Sequence, residues 1–598
     1  MGATRPKGPA IQPLRIAFAA AALVAALVVA TPRADAAGAI TVGEVPGAPP
    51  TSIFPLEGCA QDSLANVQQF QDLLFRPLYW FGLSGSPGYQ AALSPATTPT
   101  TNPSTTQVSF TLRGWRFADG RLVNGTSVLF FLNLVEADPS AFCNAVAARG
   151  IPAGLRAVRV QGDLVTLTFS TRVNIDWLMG NDLSNVVPLD PAWSRSQSGP
   201  QPACANGTYG AARTLAACRL VLTYLQRLGT TTTDFTSGFW QGGVDGPWRL
   251  GAFDASGDAT LLANPHYSGP VRPRVGVVRL VAFDSYAAEE SALAQGALDV
   301  GTVPDSAIPA GSTNAPALAA HDTLYATPFW GFGGIEVNFA ATGAGGPLVA
   351  QGYLRGALEQ AIDQRSLINT VFHGRAAGGA SPIPPSTPVA LAKVTGPYPS
   401  DPAAARRALA SHGWSLAGGS ATCTAPGTGP SQCGAGIAPG QTLSLTLVVA
   451  SGDPALNQEL ALVRADWAAL GVSLSVAFDT SSSVAADCAA ATTVDLCWSG
   501  QGWSYLSDYY PSGDPFYSSS ASASLGGFAP PVLVHWLALV EIRRGELSGY
   551  GAYMAQALPV LYLPTPDTLW EVSTSLASVH PLRPCPTGVL TPEYWSLT

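Results

Sequence analysis

At 598 residues the chain is too long for one hydrophobic core, which predicts two or three packed units. Its 47% hydrophobic and 12% charged content excludes a disordered polymer. The formal charge of −9 argues against a nucleic-acid partner, because phosphate binding needs a basic surface.

The first residues read as an export signal. Arg5, Lys7 and Arg15 precede an apolar run from Ile16 to Ala30, and Ala34-Asp35-Ala36 follows as a small-residue cleavage site. The run is short for a membrane span, which needs about 20 apolar residues; the competing reading is an uncleaved anchor helix. Removing residues 1–36 takes away four basic groups and one acid, so the charge moves from −9 to −12. In an exported chain the nine cysteines are expected to be bridged. Cys204/Cys218, Cys423/Cys433 and Cys488/Cys497 are close enough in sequence to close loops, leaving Cys59, Cys143 and Cys585 with one free thiol among them. No spacing is CxxC and only six histidines occur, which argues against zinc. The first cysteine, Cys59, lies too far beyond the apolar run to carry a lipid anchor.

Taken in order, Ile40 to Leu56 gives one short strand and an extended segment, and Gln61 to Leu78 has a helical pattern. A Pro/Thr-rich connector, Ser94 to Thr105, leads to a strand at Val108 to Leu112. Asp119-Gly120 makes a tight turn, and Thr126 or Ser127 is placed to cap a helix over Val128 to Glu136. Val158 to Phe169 reads as a strand pair, and the Cys204/Cys218 region as a loop with a short helix. Strands at Gly246 to Leu250, Ala259 to Asn264 and Val275 to Phe283 precede a helix, Ala287 to Gln295, and a strand, Leu298 to Val303. After a strand at Gly334 to Asn338, helices are predicted over Tyr353 to Phe372 and Pro402 to His412. Leu443 to Val449, Leu456 to Leu470 and Val472 to Phe478 form a second strand–helix–strand unit. The next stretch, Val494 to Phe516, opens from a strand into a loop rich in Trp, Tyr and Asp, a common way to build a binding wall. A helix near Pro531 to Arg543 and the apolar run Leu558 to Leu563 follow.

Several of these pieces resemble a known family. Trp115-Arg116-Phe117-Ala118-Asp119-Gly120 is similar to a strand–turn segment of the solute-binding proteins of peptide/nickel-type ABC importers, extracellular family 5. So are Gly246-Pro247-Trp248, Asn264-Pro265-His266-Tyr267-Ser268-Gly269 and Ala292 to Val300. Leu354 to Arg365 and Ala404 to Gly413 match two of its helices, in the same order along the chain. The resemblance implies an α/β, two-lobed periplasmic-binding-protein type II fold with a third subdomain inserted in the first lobe. Its expected layout is a signal peptide over 1–36, lobe I over 37–320 with the insert at about 83–239, lobe II over 321–545, and a return to lobe I over 546–598. The lobe crossings are expected near Val303 to Asn338 and Val534 to Leu558.

It also implies an oligopeptide- or dipeptide-binding-like function: capture of a small peptide between the lobes, no reaction performed on it, and delivery to membrane permease and ATPase subunits. No cofactor and no nucleic acid are expected, and the chain is expected to act as a monomer in the periplasmic or cell-surface space. In the family an aspartate of the second lobe pairs with the ligand amine. Here the segment carries extra residues, so Asp508 and Asp514 both stand as anchors, with Asp508 favoured because Asp514 sits in an Asp-Pro turn. Trp503, Tyr505, Tyr509 and Tyr510 are expected to line pockets, with Trp330 and Asn338 near the lobe crossing and Phe54 reaching in from the first lobe beside Leu56. The aromatics also suit a sugar ring, and a sensor without a transporter fits the same fold. A secreted hydrolase lacks its usual marks, since neither Gly-x-Ser-x-Gly nor His-Glu-x-x-His occurs.

Overall fold

In the computed structural model, residues 38–598 are described apart from 48, 57, 60, 84–85, 144–148, 489, 501, 507, 519–524 and 580–589. The expected export signal and Cys585 lie outside the described residues. Residues 37–598 form one compact unit. Two mixed sheets organise it. The first has seven strands in the order Trp248–Phe253, Ala259–Ala263, Val277–Val281, Ala39–Gly43, Val300–Thr302, Thr568–Ser573, Asp322–Thr327. Alternation sets its faces: Val278 and Leu280 are buried while Arg279 between them is exposed. The expected strand–helix–strand unit is present, with Ser285 capping the helix Tyr286–Ala294. Its two strands are not neighbours, however, because Ala39–Gly43 runs between them, parallel to both.

The second sheet runs Ser473–Asp479, Ser444–Ala450, Leu496–Trp498, Gly331–Val337, Trp503–Ser504, and Val560–Leu563 also pairs with Gly331–Val337. All seven residues of Gly331–Val337 are buried, as befits a strand flanked on both edges. The helix Pro454–Ala469 starts at Asp453, whose carboxylate accepts from the Ala455 and Leu456 amides, with Pro454 in the first turn. The chain leaves the first sheet after Thr327 and enters the second at Gly331. It returns between Leu563 and Thr568, later than the expected window, because Val560–Leu563 still belongs to the second sheet.

A separate four-stranded antiparallel sheet, Thr100–Thr101, Gln107–Thr111, Leu164–Phe169 and Leu155–Gln161, packs beneath the helix Gly125–Ala137. That helix is capped by Asn124, not by Thr126 or Ser127; Ser127 instead returns the bond from the third position. The predicted helix over Gln61 to Leu78 ends at Leu74, since Arg76 precedes a proline and the residue before proline avoids the helical region. Its first part, Leu64–Gln71, is wound as a π-helix. The predicted helix over Tyr353 to Phe372 is two, Gly352–Ala361 and Gln364–Thr370, because Asp363 stops the first and caps the second through the Ser366 amide. Between Cys204 and Cys218 the structure places the start of an 18-residue helix, Ala212–Gly229, longer than expected. The three expected disulfides are formed, and Cys59 pairs with Cys143 across 84 residues.

Candidate functional site

The loop after Trp503–Ser504 meets the segment Asn174–Leu183 along a continuous polar seam. Tyr509 donates its amide to the Gly180 carbonyl at 3.0 Å. Asn181 brackets Tyr510, accepting from its amide at 3.0 Å and donating to its carbonyl at 2.9 Å. Asn174 donates to the Tyr510 hydroxyl at 3.2 Å and to the Val540 carbonyl at 2.9 Å, while its own amide donates to Glu541 O at 2.7 Å. Glycine at 180 suits a close approach: a Cβ there would lie 3.1 Å from Tyr510 N and Cβ, tight enough that the loop would have to shift by a few tenths of an ångström.

Under the seam lie three buried carboxyls. Asp514 accepts from Trp177 Nε1 at 3.1 Å and Ser512 Oγ at 2.6 Å, which leaves its Oδ1 buried without a partner. Asp182 accepts from the Ile151 amide at 2.9 Å, and Glu541 pairs with Arg149 at 3.0 Å. Burial pushes all three above the ordinary carboxyl range, Glu541 to about 7, with Asp514 adding to it and Arg149 opposing. Three acids facing one guanidinium are favoured when they retain protons.

Beside the seam, Phe81 and Tyr509 stack with centroids 4.9 Å apart and planes 9° from parallel. Each ring lines two spaces. Inward is a chamber of about 70 Å³, walled by Leu56, Trp80, Phe142 and Ser184 and by the carboxyls of Asp62 and Asp72. Burial raises Asp62 to about 6 and Asp72 to about 7, with Arg76 opposing and Asp62 adding in the second case. Outward is a groove of about 970 Å³, at the upper end of the 300–1,000 Å³ typical of ligand sites. Its walls come from Tyr89 and Arg172–Met179 on one side and from Leu391, Tyr510 and Ile542–Arg544 on the other.

Of the residues expected from the sequence, Tyr509 faces both spaces and Tyr510 faces the groove. Asp508, Asp514, Trp503, Tyr505, Asn338, Trp330 and Phe54 line neither. Trp330 is fully buried and donates its indole N–H to the Asp508 carbonyl at 2.7 Å, positioning the loop from below. Trp503 stacks on Phe332, and Tyr505 packs edge-on against Phe516. Asn338 ties Ala490 and Val494 carbonyls to its own turn. Phe54 is core, held between Trp193 and Trp240. Asp514 does open a short helix, Asp514–Tyr517, as a turn residue would, yet its side chain is committed across the seam. The sequence reading missed Asn174, Trp177, Gly180 and Asn181, whose polar spacing inside an apolar run was the available signal. It also missed Asp62 and Asp72, two acids at either end of an otherwise uncharged helical pattern.

This architecture is that of known binding proteins. CtaP, an ABC transporter substrate-binding protein from Listeria monocytogenes, superposes with a TM-score of 0.68 at 14% identity, covering 94% of this chain and 99% of that one. NikA from Brucella suis, solved with Fe(III)-EDTA, gives 0.67 at 15% identity, covering 94% and 100%. The oligopeptide-binding protein AppA from Bacillus subtilis, solved with a nonapeptide, gives 0.61 at 16% identity, covering 94% and 99%. The fold is therefore the two-lobed type II periplasmic binding fold, with a sheet at the core of each lobe. Residues 92–524 match the model of bacterial extracellular solute-binding proteins, family 5, and the chain belongs to that family. No curated protein matches the sequence. No helix among the described residues is long and apolar enough to cross a membrane.

Proposed function

We propose that the chain captures a small peptide between its lobes and passes it to the permease and ATPase subunits of an ABC importer. Residues 37–327 and 568–598 would form the first lobe, including the inserted sheet, and residues 331–563 the second. The observation that carries the reading is the groove beside Phe81 and Tyr509, whose walls come from both of these parts. Aromatic faces give flat contact area for a peptide, and charges at the walls give it orientation. AppA, solved with a nonapeptide, shares the fold and supports the peptide class. Residues 1–36 would direct export and be removed.

The test is a thermal-melt screen of the purified chain with tripeptide and tetrapeptide mixtures, cello-oligosaccharides and metal chelates. A specific ligand at a hundredfold excess over Kd adds about 2.7 kcal/mol of stability, a readily measured upward shift. Peptides are expected to produce it. A shift with oligosaccharides or chelates and none with peptides would replace the peptide reading.

A further inference from the structure

Resting on the peptide reading above, we propose that the Phe81–Tyr509 stack separates the two charged ends of the guest. A primary ammonium sits in the inner chamber against Asp62 and Asp72, and a carboxylate sits in the outer groove beside Arg172 and Arg543.

Size is the first argument. The chamber's 70 Å³ admits an ammonium with a methylene or two, or about two waters, and excludes a whole bulky side chain. The groove, more than ten times larger, takes the rest of the chain. Charge is the second. The chamber is lined by two carboxyls and by no lysine, arginine or histidine. Neither carboxyl has a hydrogen-bond partner among the described residues. Gln71, 6% exposed, also lines the chamber; its amide donates to the Ser52 and Phe54 carbonyls, and its Oε1 accepts from nothing described, so a third acceptor waits there. The nearby guanidinium of Arg76 is turned away, paired with Glu593 at 2.6 Å and donating to the Asp72 carbonyl. Tyr79, Trp80, Ser184 and Asn185 in the same wall donate their hydrogens elsewhere, to Thr97, Gly82, Gly180 and Asn181 carbonyls. The carboxyl and amide oxygens left facing the space are matched by an ammonium, which carries three N–H bonds and no acceptor.

The groove has the opposite balance. It holds Arg172, Arg543 and Arg544 against Asp176 and Glu546. Arg544 is taken by Asp176 at 2.8 Å, while Arg172 and Arg543 are exposed at the groove's mouth, one on each side, with no protein partner among the described residues. A carboxylate accepts a forked pair of bonds from a guanidinium, so one placed between these arginines would also draw the two walls together. The stacked rings line both spaces, so a guest that occupies both lies against Phe81 and Tyr509.

The test uses the full chain and an equimolar tripeptide mixture in four forms: free, N-acetylated, C-amidated, and capped at both ends. Titration calorimetry should show roughly a tenfold or greater loss of affinity on acetylation, which leaves the chamber's carboxyls without a cation, and a smaller loss, about threefold, on amidation, because the arginines are exposed. Asp72→Asn should remove the sensitivity to acetylation and keep that to amidation; Arg172→Gln with Arg543→Gln should do the reverse. Binding indifferent to both caps overturns this assignment and leaves the peptide reading intact. So does sensitivity to acetylation that survives Asp72→Asn and is lost in Asp508→Asn. No binding of any form to the unaltered chain overturns both. The capped panel on the unaltered chain needs no variant to fold.

Discussion

The seam and the spaces beside it lie a few residues apart and treat polar atoms in opposite ways. Along Asn174, Asn181, Tyr509 and Tyr510, donors meet acceptors at 2.7 to 3.2 Å, and Gly180 is reduced to a hydrogen so that the two strands of contact can touch. Around Phe81, by contrast, Asp62, Asp72, Arg172 and Arg543 face open volume with no bonded partner among the described residues. Buried polar groups in a finished interior are satisfied. Asp62 and Asp72 are only half-buried, and Arg172 and Arg543 are exposed, so these groups stay open to water or to a guest. The seam is closed on itself, and the chamber and groove are open beside it.

Breaking the seam should give the largest effect. Asn174→Ala strands the Val540 and Arg543 carbonyls and the Tyr510 hydroxyl, and each buried group so orphaned costs about 1–3 kcal/mol. Urea denaturation should report a loss in that range, accompanied by weaker peptide binding. Removing the ring that both spaces share comes next: Tyr509→Ala gives up a stack worth about 0.5–1.5 kcal/mol beyond area burial, so the unliganded melt falls modestly while peptide affinity falls about tenfold or more.

The acids under the seam make its stability depend on pH. Glu541 moves from an ordinary 4.5 to about 7 in the folded chain, so the folded state holds a proton that the unfolded state has released between those values. Stability therefore falls as pH rises from 4.5 to 7, and it is greatest at or below the lower limit. Glu541→Gln should make that slope shallower without abolishing it in melts recorded across the range, because Asp62, Asp72, Asp245, Glu289, Glu336 and Glu571 are raised into the same range. The smallest effect is expected from Arg544→Ala. Its pair with Asp176 is exposed, 66% and 42% by side chain, and such bridges contribute about 0–1 kcal/mol. A large loss there would mean that the groove rim, not the seam, holds the lobes.

Much of the fold was legible because it is written locally. Ser444–Ala450, Pro454–Ala469 and Ser473–Asp479 each carry their own period and caps, and the family motifs lie in such elements. The errors fell where one residue decides: Asp363 splitting a helix, or Asn124 rather than Thr126 capping one. The site was legible only in part. Tyr509 and Tyr510 could be found from an aromatic-rich loop, but their partners Gly180 and Asn181 lie some 330 residues earlier, and nothing in the intervening sequence marks the pairing. Phe54 and Trp330 were misleading for the opposite reason, since a large aromatic serves a core as readily as a pocket. Cys59–Cys143 escaped prediction because 84 residues separate its ends.

Closure of the molecule over a guest at the Phe81–Tyr509 stack is read by hydrogen–deuterium exchange with and without the tripeptide mixture. It predicts that peptide slows exchange together in residues 61–81, 172–185 and 505–514, the three segments that wall the chamber, groove and seam. Protection confined to another cavity, such as the one bounded by Tyr286, Phe329 and Pro566, or no protection at all, would contradict it.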